Sequence, residues 1–220
     1  MADNERPGAT ACHGGTLAAP HSAMMETLIR SLRPLSAAPV GPGWNHAEMC
    51  ELLGDRARQP AAVLMGIRDG VQPRLIFTVR DGRLQAHAGQ VSFPGGGSEP
   101  GDDDAVATAL RESEEEIGLD RSLVTPLGFL DRFETTSGYC VTPVVARVAI
   151  DARLYPAPAE VAEVFEVPLA FLLDPANLRR YTMVHGGREW PMVEFVHAGH
   201  RIWGATAAML GNLLDRMDQT

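Results

Sequence analysis

Residues 89–119 confine this chain more than any other stretch, because a glycine run is followed closely by a helix-forming segment crowded with acid. Gly95, Gly96 and Gly97 precede Asp102, Asp103 and Asp104, and after these comes Arg111-Glu112-Ser113-Glu114-Glu115-Glu116, with Gly118 behind it. Acids suit the N-terminal turn of a helix, and a glycine after the last apolar residue ends one. The pattern predicts a helix from about residue 102 to 117. At about 100° per residue, Glu112, Glu115 and Glu116 then share an arc of roughly 100°, while Glu114 points to the far side.

Like charges on one helix face repel by up to a few tenths of a kcal/mol per pair. Such acids also fit an ordinary solvated face, and a glycine run fits a plain tight turn. The spacing between the two tips the reading toward a site, because glycines allow close backbone approach and hard cations take carboxylate and carbonyl oxygens. Mg²⁺ and Mn²⁺ commonly share their coordination sphere with substrate phosphates, so the stretch points to metal-assisted chemistry at a phosphate.

The rest of the chain bounds that chemistry. With 220 residues and 45% hydrophobic content it can bury a large core, and its net charge of -9 lacks the basic stripe that a nucleic-acid grip requires. Cys12, Cys50 and Cys140 follow no metal-binding or disulfide pattern, which fits a reducing, cytoplasmic setting. No run approaches the roughly 18 apolar residues that span a bilayer, and no secretion signal is visible, so no membrane association is expected.

In order, residues 1–45 read as a flexible leader with one short helix over 22–32, Ser22 being its N-cap. Residues 46–220 read as a single domain. A second short helix is expected at 46–58. Strands at 61–67 and 74–79 flank the Asp69-Gly70 turn, and 90–93 is a short extended piece before the glycine turn. Beyond the acidic helix come strands at 123–135, 141–150 and 161–167, a short helix at 168–173, a meander through 181–184, 190–197 and Ile202, and a final amphipathic helix over 205–217. Strands flanked by helices without regular alternation indicate an α+β sandwich with a mixed sheet.

The opening stretch resembles the Nudix hydrolase box: glycine, five residues, an acid, seven residues, then Arg-Glu-aliphatic-any-Glu-Glu-any-Gly-aliphatic. Counted from Gly97, Asp103 takes the acid position and Arg111, Glu112, Ser113, Glu115, Glu116, Gly118 and Leu119 follow, with Asp for Glu and Ser for an aliphatic residue as departures. Counted from Gly96, the loop holds one extra residue, and Asp103 is better taken as a helix-start residue. The flanks look like the coenzyme A pyrophosphatase branch: Ile76-Phe77-Thr78-Val79-Arg80, His87, Gly89-Gln90-Val91 and Phe93-Pro94-Gly95-Gly96 upstream, then Thr136-Ser137-Gly138-Tyr139, residues 160–169 and residues 202–207 downstream. Asp81 and Gln85 depart from that branch, where a small residue and an Arg are usual.

The resemblance covers roughly residues 61–214 and implies a Nudix-type α/β/α sandwich. It implies metal-dependent hydrolysis of coenzyme A or acyl-CoA to 3',5'-ADP and (acyl-)4'-phosphopantetheine. Glu112, Glu115 and Glu116 would be Mg²⁺ or Mn²⁺ ligands, joined by a carbonyl of the glycine run, Gly96 or Gly97. Arg111 would orient a carboxylate. The general base would be a box glutamate, Glu160 or Glu163. Arg80 and His87 would contact phosphate or pantetheine, and Tyr139 would stack on adenine or simply pack. A homodimer is common in similar enzymes. A Nudix hydrolase of ADP-ribose or NADH, which Gln85 favours, and a non-catalytic nucleotide-binding regulator are the alternative readings.

Overall fold

The computed structural model describes residues 19–83, 88–185 and 187–220. Its centre is strand β1 (Gln59–Arg68), which runs parallel to β7 (Tyr139–Val148) along its whole length, from Gln59 opposite Tyr139 to Arg68 opposite Val148. Both strands are dense in Val, Ala and other apolar residues and buried on both faces, as parallel strands require. On its other side β1 pairs antiparallel with two partners in succession. Its far end meets β2 (Arg74–Arg80) across the expected Asp69-Gly70 turn, and its near end meets β4 (Gly95–Gly97).

The glycine run is therefore a strand and not the tight turn its composition indicates. Gly97, Gly96 and Gly95 lie opposite Ala61, Ala62 and Val63. Strand β2 carries β3 (Val91–Ser92) and β8 (Val161–Pro168), and β7 carries β5 (Val124–Phe129) and β6 (Phe133–Glu134). With one parallel pair among antiparallel ones the sheet is mixed. Strands β9 (Arg179–His185), β10 (Arg188–His197) and β11 (His200–Trp203) form the expected meander as a separate sheet.

Two cores sandwich the main sheet. On one face the helix α3 (Ala105–Ile117) seats Ala109 and Ile117 against Ala62, Leu64, Ile76 and Val144. On the other, α1 (Ala19–Ser31), α5 (Gly204–Asp218) and the meander cover Met65, Phe77, Phe93 and Val145. Each large side chain so buried contributes about 1.5–3 kcal/mol. This α+β layering matches the sequence reading. Short helices α2 (His46–Leu53) and α4 (Leu169–Leu172) complete the set.

A boundary at residue 45 has no counterpart in the packing. Leu28 and Leu32 are core residues, Arg33 bridges to Phe129, and Gly43 and Asn45 bond Glu134. Leader and domain share one core from at least Leu28 onward because the apolar stripe of α1 has α5 to pack on. Helix α1 already includes Ala19, so Ser22 lies inside it, its hydroxyl donating to Glu26 rather than capping. Among the described residues no helix is long and apolar enough to cross a membrane.

Candidate active site

Helix α3 starts at Ala105, two residues after Asp103. Asp104 is the N-cap, accepting from the Ala107 amide at 2.8 Å, and Gly118 ends the helix at φ 61°, a left-handed conformation that favours glycine. Asp103 is exposed and takes no part in the site. Asp102 does. Its two oxygens accept a fork from Arg111 Nε and Nη2, both at 3.0 Å, and its Oδ2 also accepts from the Glu99 amide and the Thr108 hydroxyl. These donors hold its carboxyl far below the ordinary aspartate range, the Arg111 fork being the largest cause.

Arg111 serves as a hub. Besides Asp102 it reaches the Gly97 carbonyl at 2.9 Å, Glu112 Oε1 at 3.0 Å and Glu115 Oε2 at 3.2 Å. Arg111 thus contacts two of the three helix glutamates, but its fixed anchor is Asp102. Ser113, the departure from an aliphatic residue, is fully buried and turns its hydroxyl onto the Ala109 carbonyl at 2.6 Å, so the helix itself satisfies it. Glu114 lies on the outer face, paired with Arg121.

The glycine strand lets the acids in. Gly95 donates its amide to Glu116 Oε2 at 3.1 Å and adopts φ 151°. A Cβ on Gly96 would stand 2.6 Å from the Glu112 carboxylate oxygens. What Gly96 visibly supplies is this absent side chain.

Glu116 is 3% exposed, and its carboxyl is pushed up to about 7. Burial is the main cause; the Gly95 amide and Arg80 oppose it, and the charges of Glu112 and Glu160 add to it. Glu112 is raised too, again first by burial, with Glu115 and Glu160 adding and Arg111 opposing. Glu115 is 59% exposed along its side chain.

Of the two base candidates, the structure brings one to the site. Glu160 is close enough to act on both Glu112 and Glu116. Glu163, farther along β8, instead meets His200 at 3.2 Å. Arg80 stands at the end of β2 with Nη1 3.7 Å from Glu116 Oε1, and its buried Nε has no partner among the described residues. The Tyr139 ring lies 3.8 Å from where a Gly97 Cβ would be and packs against the core on the sheet face away from α3. His87 lies outside the described residues. Asp102 was read from the sequence only as a helix-start acid; the signal for its hold on Arg111 was its nine-residue lead, within reach of a folded-back loop.

Among the described residues no three of His, Cys, Asp or Glu stand in a ligating arrangement, since Arg111 takes oxygens of Glu112 and Glu115 while Glu116 accepts from Gly95. The donor set nonetheless fits a hard divalent cation. It is all oxygen, and two desolvated carboxylates with further acids beside them have fewer positive partners than their burial calls for.

A mixed sheet whose glycine strand admits acids from a capped helix defines a class, and the comparisons name it. The NUDIX domain family model matches residues 57–186, a span that contains β4, α3 and Glu160, and the chain belongs to that family. It is 38% identical over 165 residues to an uncharacterized Nudix hydrolase, NudL, of Photorhabdus laumondii, covering 75% of this chain and 88% of the relative. It is 40% identical over 162 residues to NudL of Pectobacterium atrosepticum, covering 71% and 81%. A MutT protein from Methanosarcina mazei aligns over 75% of this chain and 96% of its own at 16% identity and TM-score 0.46. The protein is a Nudix-type diphosphate hydrolase.

Proposed function

We propose that this hydrolase cleaves the diphosphate bond of coenzyme A or acyl-CoA, releasing 3',5'-ADP and (acyl-)4'-phosphopantetheine. Mg²⁺ or Mn²⁺ would be held by Glu112, Glu115 and Glu116 with an oxygen of the glycine strand, Gly96 by the sequence expectation. The observation that carries the site assignment is the under-compensated burial of Glu116 beside Glu112 and Glu160. When bound, such a cation neutralises diphosphate oxygens and makes water more acidic.

The chain's own groups divide the remaining work. Glu160 is the base that takes the proton from the attacking water, since Glu163 is engaged by His200. Arg80, with its Nη1 3.7 Å from Glu116, offers guanidinium charge to a phosphate oxygen. Asp102 holds Arg111, which positions Glu112 and Glu115. Support for coenzyme A comes from the branch-like motifs, which occupy elements bordering the acids: Phe93-Pro94-Gly95-Gly96 running from the β3–β4 link into β4, Arg80 on β2, and the segment running into β8. The cysteine spacing, which follows no metal-binding or disulfide pattern, fits a reducing setting for such a substrate.

Purified protein given coenzyme A, acetyl-CoA, ADP-ribose, NADH and dinucleoside polyphosphates, with and without Mn²⁺, tests this when products are resolved by mass. The expected result is metal-dependent release of 3',5'-ADP, fastest from coenzyme A or its thioester. Faster cleavage of ADP-ribose or NADH would replace the coenzyme A reading with the one that Gln85 favours.

A further inference from the structure

Asp81, one of the two departures from the coenzyme A branch, has a definite place in the structure. Its carboxylate closes the turn that follows β2, accepting the Arg83 amide at 2.8 Å, and it takes a fork from the Arg83 guanidinium, Nε at 2.8 Å and Nη2 at 3.2 Å. An exposed pair two residues apart is ordinarily a local, solvated contact that adds little to stability. This one reaches farther. Arg83 Nη2 also donates to the Pro158 carbonyl at 2.9 Å, and the Asp81 amide donates to the Glu160 carbonyl at 2.8 Å.

Residues 149–160 link β7 to β8 and carry Glu160 without a strand of their own. On one side the link hangs on the last turn of α3, whose free carbonyls accept it: Tyr155 donates to Ile117 at 2.7 Å and Ala157 to Glu116 at 2.8 Å. Those are main-chain bonds that almost any sequence can make. On the other side regular pairing with β2 is interrupted, since Val79 lies opposite Glu163 but Arg80 opposite Val161, so Ala162 is an extra residue. Bulges of this kind re-aim side chains beside active sites. Past the bulge the Asp81–Arg83 turn grips the link, by one main-chain bond and one side-chain bond.

From this geometry we infer that Arg83, locked by Asp81, is a positioning residue for Glu160: it holds the 157–160 segment so that the Glu160 carboxylate stays beside the site acids. The inference rests on Glu160 being the base. A proton acceptor must stand within hydrogen-bond reach of the attacking water, and a displacement of about 1 Å can cost on the order of 10²-fold in rate. Arginine suits the task, because its planar fork engages a carboxylate and still gives an N–H to the Pro158 carbonyl, whereas a lysine ammonium has no such fork. The lock also persists at neutral pH, since the Arg83 bonds hold the Asp81 carboxyl below the ordinary aspartate range.

The test compares Arg83→Gln, Glu160→Gln and the double variant in the full-length protein, with Mn²⁺ and whichever of coenzyme A and ADP-ribose is cleaved faster. Arg83→Gln should lower kcat about tenfold and leave KM within about twofold, and it should add less than about twofold once Glu160 is replaced. Hydrogen exchange on the metal-free proteins, read by mass spectrometry, supplies a readout apart from turnover: in Arg83→Gln, peptides from 155–161 exchange faster while those of α3 keep native protection. A raised KM with native kcat would make Arg83 a substrate contact and overturn the positioning role. Undiminished loss in the Glu160→Gln background, native exchange in 155–161, or exchange equally faster in α3 would overturn it too. If Glu160→Gln turns over like the native enzyme, the base assignment fails and this inference with it. If Glu160→Gln is crippled and Arg83→Gln is not, the inference alone fails.

Discussion

Glu116 and Glu134 are both buried to within a few per cent of complete, yet the protein treats them in opposite ways. Burial alone would raise either carboxyl. At Glu134 it is overruled by the Gly43 amide, His46 and Arg58, and the group stays below the ordinary glutamate range. At Glu116 one backbone amide and a guanidinium 3.7 Å away are too little against burial and the charges of Glu112 and Glu160, and the group rises to about 7. A carboxylate saturated with donors fastens the chain. One left short of positive charge is a place for a cation to bind.

The largest effect that separates the two is on stability. Glu134→Ala leaves Arg58 buried without its partner and should cost about 3–5 kcal/mol in urea unfolding. Turnover per folded molecule should stay near that of the native enzyme. A loss under about 1 kcal/mol would mean that Glu134 is not the fastening described.

Glu116→Gln should do the reverse. Turnover falls by more than about 10²-fold, the scale of losing one preorganised electrostatic group. The metal-free variant should be at least as stable as the native protein at pH 8, because a repelled buried charge is gone. Native-like turnover in the variant would remove Glu116 from the reaction. Asp102→Asn comes next: with the Arg111 fork broken, activity should drop about 10–100-fold, as for other groups that orient metal ligands. Apparent metal affinity should weaken alongside it, which a purely structural role would not require.

The smallest effect is on the pH dependence of the metal-free protein. Glu116 is raised from 4.5 to about 7, so the folded state binds its proton more tightly than the unfolded chain does. Its contribution is complete below pH 4.5 and disappears as pH rises through about 7. Unfolding should therefore become easier between pH 5 and 8 by about 1–2 kcal/mol, given that coupled acids share the shift. Glu116→Gln should flatten that slope. Asp102, whose carboxyl is depressed, contributes fully above pH 3.8 and loses its share only at lower pH, so it leaves this window unchanged.

The contrast between the two glutamates was only half legible in the sequence. Helix α3 and the shared arc of Glu112, Glu115 and Glu116 follow from angular spacing and local end signals, which act within a few residues, although Glu115 stays exposed. Strand β4 does not: glycines carry no side-chain alternation, and only the pairing of Gly95–Gly97 with Ala61–Val63 makes them a strand. Glu160 and Glu163 were indistinguishable because their surroundings are set by pairing with β2, where a register shift falls between Val79 and Arg80. Glu134 was missed because it sits in an alternating stretch like any strand residue, while three of its donors lie 76 to 91 positions away. Those same long-range bonds drew the segment read as a leader into the domain.

The most direct measurement of the central claim is Mn²⁺ binding by calorimetry at pH 7 in two buffers of different ionisation enthalpy, on native protein and on Glu116→Gln. The account predicts that native protein binds Mn²⁺ and releases a substantial fraction of a proton, less as pH rises toward 8.5, and that Glu116→Gln binds far more weakly without that release. Equal affinity in the two proteins, with no proton released by either, would contradict it.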